Sequence, residues 1–197
     1  MIDEGQALGE QFLRFKDSLM KEGHRGSVIV AAALFDDLLG SALSARLLHP
    51  AESQDELLEG SHAPLGTFSA RIDLAYRIGA IGRQMRDSLH IVRRLRNDFA
   101  HVADPIDFSN QSVRDRVSLL LSRNRDLLEK LWGDMRPEFE MLFPEQFPPR
   151  TSPDLLRDFV QLTGYHYAFV FWASAALSAL SIWGADLERL EERDVAT

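Results

Sequence analysis

The densest concentration of chemically capable side chains is a basic run, RQMRDSLHIVRRLRNDFAH, at residues 83–101. Arg83, Arg86, Arg93, Arg94 and Arg96 offer guanidinium groups that can grip phosphate and would make such binding salt-dependent. Asp87 and Asp98 are interleaved with them, and the chain has 30 Asp and Glu against 22 Lys and Arg, a net charge of −8. That balance favours a solvated face over a phosphate-gripping stripe and disfavours direct DNA binding by bulk charge. Arg96, Asn97 and His101 close the run. The structural expectation is that Arg96 pairs with a carboxylate from a neighbouring helix while His101 hydrogen-bonds at the helix end. Asp36, Asp37 and Asp73 are the carboxylates embedded in apolar helical patterns, so a core ion-pair network joining them to Arg96 is predicted.

Other chemistries find little support. The absence of cysteine excludes disulfides, thiolate zinc sites and cysteine nucleophiles, and suits a reducing cytoplasm. His90 and His101 are eleven residues apart, about three helical turns, too far to share a metal, so no metal site is expected. No serine sits in a Gly-x-Ser-x-Gly turn and no Gly-x4-Gly-Lys phosphate loop occurs, so no cofactor is expected.

The elements that must position these residues are helical, and the class is all-α: a compact multi-helix bundle in a single domain over residues 1–197. Phe12, Phe15, Leu19 and Met20 recur at helical spacing, with Gly23 and Gly26 ending that segment. A second helix starts near Ser27, with Val30, Leu34, Leu38 and Ala42 as its stripe, and His49-Pro50 ends it. Thr67 is the expected N-cap of a third helix, before a turn at Gly79 and Gly82. The basic run places Met85, Leu89, Val92, Leu95 and Phe99 on one helical face. Ser109 or Asn110 is expected to cap a helix reaching about Trp132. Five of the eight prolines fall within residues 137–153, a Pro-rich connection leading to C-terminal helices over 153–192.

Residues 159–185 carry no charged side chain and are long enough to span a bilayer. The polar residues Gln161, Thr163, His166, Ser174, Ser178 and Ser181 interrupt them, which favours a buried or dimer-interface helix over a membrane span. Tyr165, Tyr167, Phe171 and Trp172 are the interface candidates on it. With Phe169 they also suggest a ligand-binding aromatic cluster, against which packing is the favoured reading. A homodimer follows as an expectation, because an uncharged aromatic helix left exposed is a liability.

Three stretches carry a family resemblance: GSVIVAAALFDDLLGSALSARLL (residues 26–48), LGTFSARIDLAYRIGAI (65–81) and LHIVRRLRNDFAH (89–101). Together they resemble the mannitol operon repressor family of bacterial regulators, over about residues 26–131. The resemblance implies a compact all-helical cytoplasmic regulator without a recognisable helix-turn-helix, acting through a protein partner. The acidic charge balance agrees with that mode. Within the third stretch, Arg96-Asn97-Asp98-Phe99-Ala100-His101 also resembles the Arg-x4-His signature of HEPN (higher eukaryotes and prokaryotes nucleotide-binding) domains, some of which are metal-independent ribonucleases. That resemblance implies His101 as general acid or base at an RNA 2′-hydroxyl, Arg96 stabilising charge on the phosphate, and Asn97 holding the histidine. Arg96 and His101 stand about 140° apart on a helix, a separation that a long arginine and a fraying helix end can bridge.

Overall fold

The computed structural model describes residues 4–51, 55–60, 62–101, 106–142, 154–184 and 187–192. They form an all-α bundle of seven helices, with no strand among the described residues. The first, α1 (Glu4–Lys21), turns sharply at Gly23, whose φ of 67° is left-handed backbone that glycine adopts without a Cβ penalty. Helix α2 (Gly23–Arg46) therefore begins four residues earlier than the expected start near Ser27, and Gly26 lies inside it.

The buried stripe of α2 is also shifted. Val28, Ala31, Ala32, Phe35, Leu39 and Leu43 face the core, while Val30, Leu34 and Leu38 are only partly covered. An all-round apolar helix does not choose its own face. The choice is made by the helices that pack against it, those at residues 83–101 and 155–183 among them.

Thr67 caps α3 (Phe68–Arg77), its hydroxyl accepting from the Ala70 amide at 3.2 Å. In α4 (Arg83–His101), Leu89, Val92, Leu95 and Phe99 are fully buried, as the amphipathic spacing predicts. Asn110 caps α5 (Gln111–Arg123), accepting from the Ser112 amide at 3.0 Å. The helix expected to continue to Trp132 instead breaks at Asn124. This buried side chain donates to Ser88 Oγ at 2.9 Å and accepts from Gln84 Nε2 at 3.2 Å, so α4 holds the break in place. Helix α6 (Arg125–Leu142) follows and contains Pro137 rather than ending there. The rest of the Pro-rich connection, residues 143–153, lies outside the described residues.

Helix α7 (Leu155–Trp183) is interrupted at Gly164 (φ 79°), and residues 187–192 beyond it are not helical. Both α2 and α7 are long and apolar enough to cross a membrane, and two-thirds (67%) of the apolar window of α7 is buried inside the bundle. Its hydroxyls are satisfied locally: Ser174 Oγ donates to Val170 O and Ser178 Oγ to Ser174 O, each at 2.8 Å. Buried serines bonded in this way avoid the desolvation cost of an unpaired polar group.

The interface expectation for this helix is corrected in part. Phe171 and Trp172 are each 1% exposed; Phe171 meets Phe12 edge-on at 5.1 Å, and Trp172 lies 5.8 Å from Phe35. They are enclosed because α1, α2, α5 and α6 all pack against α7. Tyr165 and Tyr167 are half-buried, and the Tyr165 hydroxyl accepts a long bond of 3.4 Å from Ser118.

Candidate functional site

Arg96 follows Val92 by four residues and Leu89 by seven, which places it on the core-facing stripe of α4. It is nevertheless exposed, because the bundle surface is concave there. A cleft of about 420 Å³ opens between three elements. Ile29, Ala32, Ala33 and Asp36 of α2 form one wall, and Gly66, Thr67, Phe68 and Ser69 at the start of α3 form a second. Arg93, Arg96 and Asn97 of α4 form the third. Their i, i+3, i+4 spacing puts all three on one side of the helix.

The predicted core network is rewired. Asp36 pairs with Arg71 of α3, Nη1 to Oδ1 at 3.0 Å, and not with Arg96. Arg71 also donates to the carbonyls of Leu65 (2.9 Å), Leu58 (3.3 Å) and Asp36 (3.3 Å), so one guanidinium ties the segment before α3 onto α2. Burial pushes the Asp36 carboxyl above its ordinary range, against the pull of Arg71. Asp37 points to solvent. Asp73 is half exposed and accepts from His90 Nε2 at 3.1 Å and Arg86 Nε at 2.8 Å, contacts that hold its carboxyl below the usual range, the bond from His90 foremost. None of the three acids forms an ion pair with Arg96, which acts on Asp36 only as a more distant charge than Arg71; among the described residues its hydrogen bond goes to its neighbour, Nη1 to Asn97 Oδ1 at 3.2 Å.

The arginine run thus divides. Arg86 is neutralised by Asp73 and Asp87, and the interleaved Asp98 is taken by Arg116. Arg93 and Arg96 make no ion pair with any described residue, and the Nε of Arg93 is buried without a hydrogen-bond partner. His101 closes α4, but its side chain lies outside the described residues.

The sequence reading missed a second polar cluster. His166 of α7 lies against His24, with ring centroids 4.5 Å apart, and its Nε2 is 3.1 Å from Ser27 Oγ. The serine hydroxyl donates to His24 O at 3.0 Å, so it accepts from His166, which fixes the Nε2–H tautomer. Burial pushes the His166 pKa down to about 4, leaving the ring neutral at pH 7. Ser27 is fully buried, so this serine–histidine contact is a packing device beyond the reach of a substrate. No grouping of His, Asp and Glu among the described residues could hold a metal. Comparison with family models, curated proteins and solved structures finds no match.

Chemically, the arginine cleft can hold an oxyanion. Planar guanidinium groups without acid partners are suited to carboxylate or phosphate.

Proposed function

We propose that the protein is a non-enzymatic transcription regulator of the mannitol operon repressor kind, acting through contact with another protein, with the arginine cleft as its working surface. One observation carries this reading: every residue lining the cleft comes from the three stretches that bear the resemblance, residues 26–48, 65–81 and 89–101. The three stretches lie on α2, α3 and α4, which all pack on one another, and the cleft is the surface they share. The acidic charge balance supports regulation by protein contact over operator binding. A homodimer in the cytoplasm is part of the proposal, supported by the exposed Leu8, Leu13 and Met20 along α1 and tested by light scattering at micromolar concentration.

The test is transcript profiling of a strain lacking the gene. A discrete set of transcripts should change, return with the wild-type gene and fail to return with Arg96→Ala. No change in any transcript refutes the regulator.

A second reading has its own observation. Arg96 stands in an open cleft beside Asn97 with no carboxylate on it, the arrangement a HEPN-like ribonuclease needs for an arginine that meets phosphate. His101 would then serve as general acid or base. Metal-free cleavage of mixed single-stranded RNA by the wild type and not by His101→Ala supports this reading; equal inactivity of both removes it.

A further inference from the structure

We propose that an apolar pocket at the end of α2 docks a basic, leucine-bearing segment of another protein; it lies outside the arginine cleft and rests on the regulator reading only for the partner's being a protein. Leu47, Leu48, Pro50 and Ala51, which follow α2, form one wall of a pocket of about 500 Å³. Leu57 and Leu190 close it from two other segments. Leu48, Leu57 and Leu190 are 48%, 50% and 39% exposed, so three leucines far apart in the chain offer apolar surface at one place. Exposed leucines that converge mark a contact surface, as scattered ones do not.

The backbone beneath these leucines is fastened. Asp55 Oδ1 accepts from the amides of Leu57 (3.1 Å) and Leu58 (3.3 Å), and the Leu57 carbonyl accepts from the Leu65 amide at 2.8 Å. Leu58 beside it is buried, so Leu57 is held at the surface by a loop anchored in the core. Residues 187–192 are fastened as well. The Leu190 amide donates to the Arg46 carbonyl at 2.8 Å, the Arg46 guanidinium donates to the Glu188 carbonyl, and Arg189 donates to that of Leu47. Apolar walls set in advance lower the ordering cost of binding.

The charge around the pocket selects the occupant. Asp55 and Glu56 line it, and Glu188, Glu191 and Glu192 are exposed on the segment that carries Leu190. None of these five carboxylates forms an ion pair with a described residue. Even with His49 of the lining protonated beside Arg46 and Arg189, three cations stand against five acids. A second copy would bring the same acids against this rim, and an anionic membrane would add further negative charge, so both are disfavoured. A segment whose leucines enter the pocket while its Lys or Arg side chains meet the rim satisfies surface and charge together, as an amphipathic helix does in a groove.

The experiment is phage display of a random peptide library, about 12 residues or three helical turns long, on the immobilised full chain. Enriched peptides are then titrated by fluorescence anisotropy. They should carry Leu, Ile, Met or Phe anchors with Lys or Arg between them, and should bind more weakly as salt rises. Leu57→Lys, which removes an apolar wall and adds a like charge, should weaken them about tenfold or more. Leu119→Lys, at a similarly exposed leucine of α5 outside the pocket, should leave them within about twofold. Leu48→Lys, with circular dichroism on every variant, serves as the second probe if Leu57→Lys fails to fold. No enriched peptide, enriched peptides without basic residues, or equal weakening by Leu57→Lys and Leu119→Lys overturns the proposal. So does a lower mass in light scattering for Leu57→Lys than for the wild type, which assigns the pocket to a second copy. Sedimentation of the wild type, and not of Leu57→Lys, with phosphatidylserine vesicles assigns it to a membrane and overturns the proposal too. Leu48 and Leu57 lie outside the arginine cleft, so this experiment and the transcript test of Arg96→Ala can fail separately.

Discussion

Replacing Arg71 by methionine removes the guanidinium that neutralises Asp36 while keeping most of the side-chain volume. The wild-type pair is largely enclosed, with side chains 17% and 30% exposed, and Arg71 serves three backbone carbonyls besides. Removing one partner of a fully buried pair costs about 3–5 kcal/mol, and an exposed pair contributes about 0–1 kcal/mol. The residual exposure places Arg71→Met at about 2–4 kcal/mol. The loss should depend on pH. Burial already raises the folded-state pKa of Asp36 above its unfolded value, so the folded state holds the proton more tightly and stability falls as pH rises through the interval between the two. Without Arg71 the folded value rises further and the interval widens upward. Urea denaturation followed by far-ultraviolet circular dichroism should show the variant losing stability more steeply than the wild type from about pH 4 towards neutrality. Adding Asp36→Asn should recover part of the loss. A cost below about 0.5 kcal/mol, with the pH dependence of the wild type, would refute the assignment of Arg71 as the clamp.

Further expectations rest on other contacts. Arg96→Ala should change stability by less than about 0.5 kcal/mol in chemical denaturation, because an exposed side chain with one neighbourly hydrogen bond carries little of the fold. Asp158→Ala should cost about 2–4 kcal/mol, since it leaves the buried Arg136 with the half-exposed Glu140 as its ion-pair partner among the described residues, and the joint replacement Arg136→Met with Asp158→Leu should recover part of that by the same measurement. Gly164→Ala should lower stability by about 1–3 kcal/mol through backbone strain alone, since φ 79° with ψ 166° is a conformation essentially reserved for glycine while its Cβ position is open. His166, with a folded pKa of about 4 below its ordinary 6.5, makes the unfolded state the better proton acceptor between those values. Thermal melting should therefore show the wild type losing more stability from pH 7 to pH 5 than His166→Gln does.

How much of this was legible depended on whether a residue's role was local. Thr67 and Asn110 cap where their side chains alone demand it, and the apolar face of α4 follows from spacing. Asn124 could not be read in the same way: residues 118–132 keep a helical pattern throughout, and the break is held by Ser88 and Gln84 from another helix. Nothing in the sequence singles out Arg71, because its partner Asp36 lies 35 residues away and the carbonyls it serves become its neighbours only once the chain folds over it. The cleft was half visible. The sequence singled out Arg96 through its motif and predicted a carboxylate partner for it, but helical spacing alone did not distinguish a core partner from an opening to solvent.

Because Arg71 forms the ion pair with Asp36 and Arg96 adds only a weaker, more distant charge, the contact that fastens α3 to α2 and the residues that open onto the cleft lie on different helices. Selection can then tune one without disturbing the other. In a saturation library sorted first by cellular abundance, positions 93, 96 and 97 should tolerate most substitutions while position 71 tolerates few. Sorted by the protein's biological output, positions 93, 96 and 97 should become intolerant. Under the proposed function, relatives could keep this scaffold while exchanging what the cleft recognises.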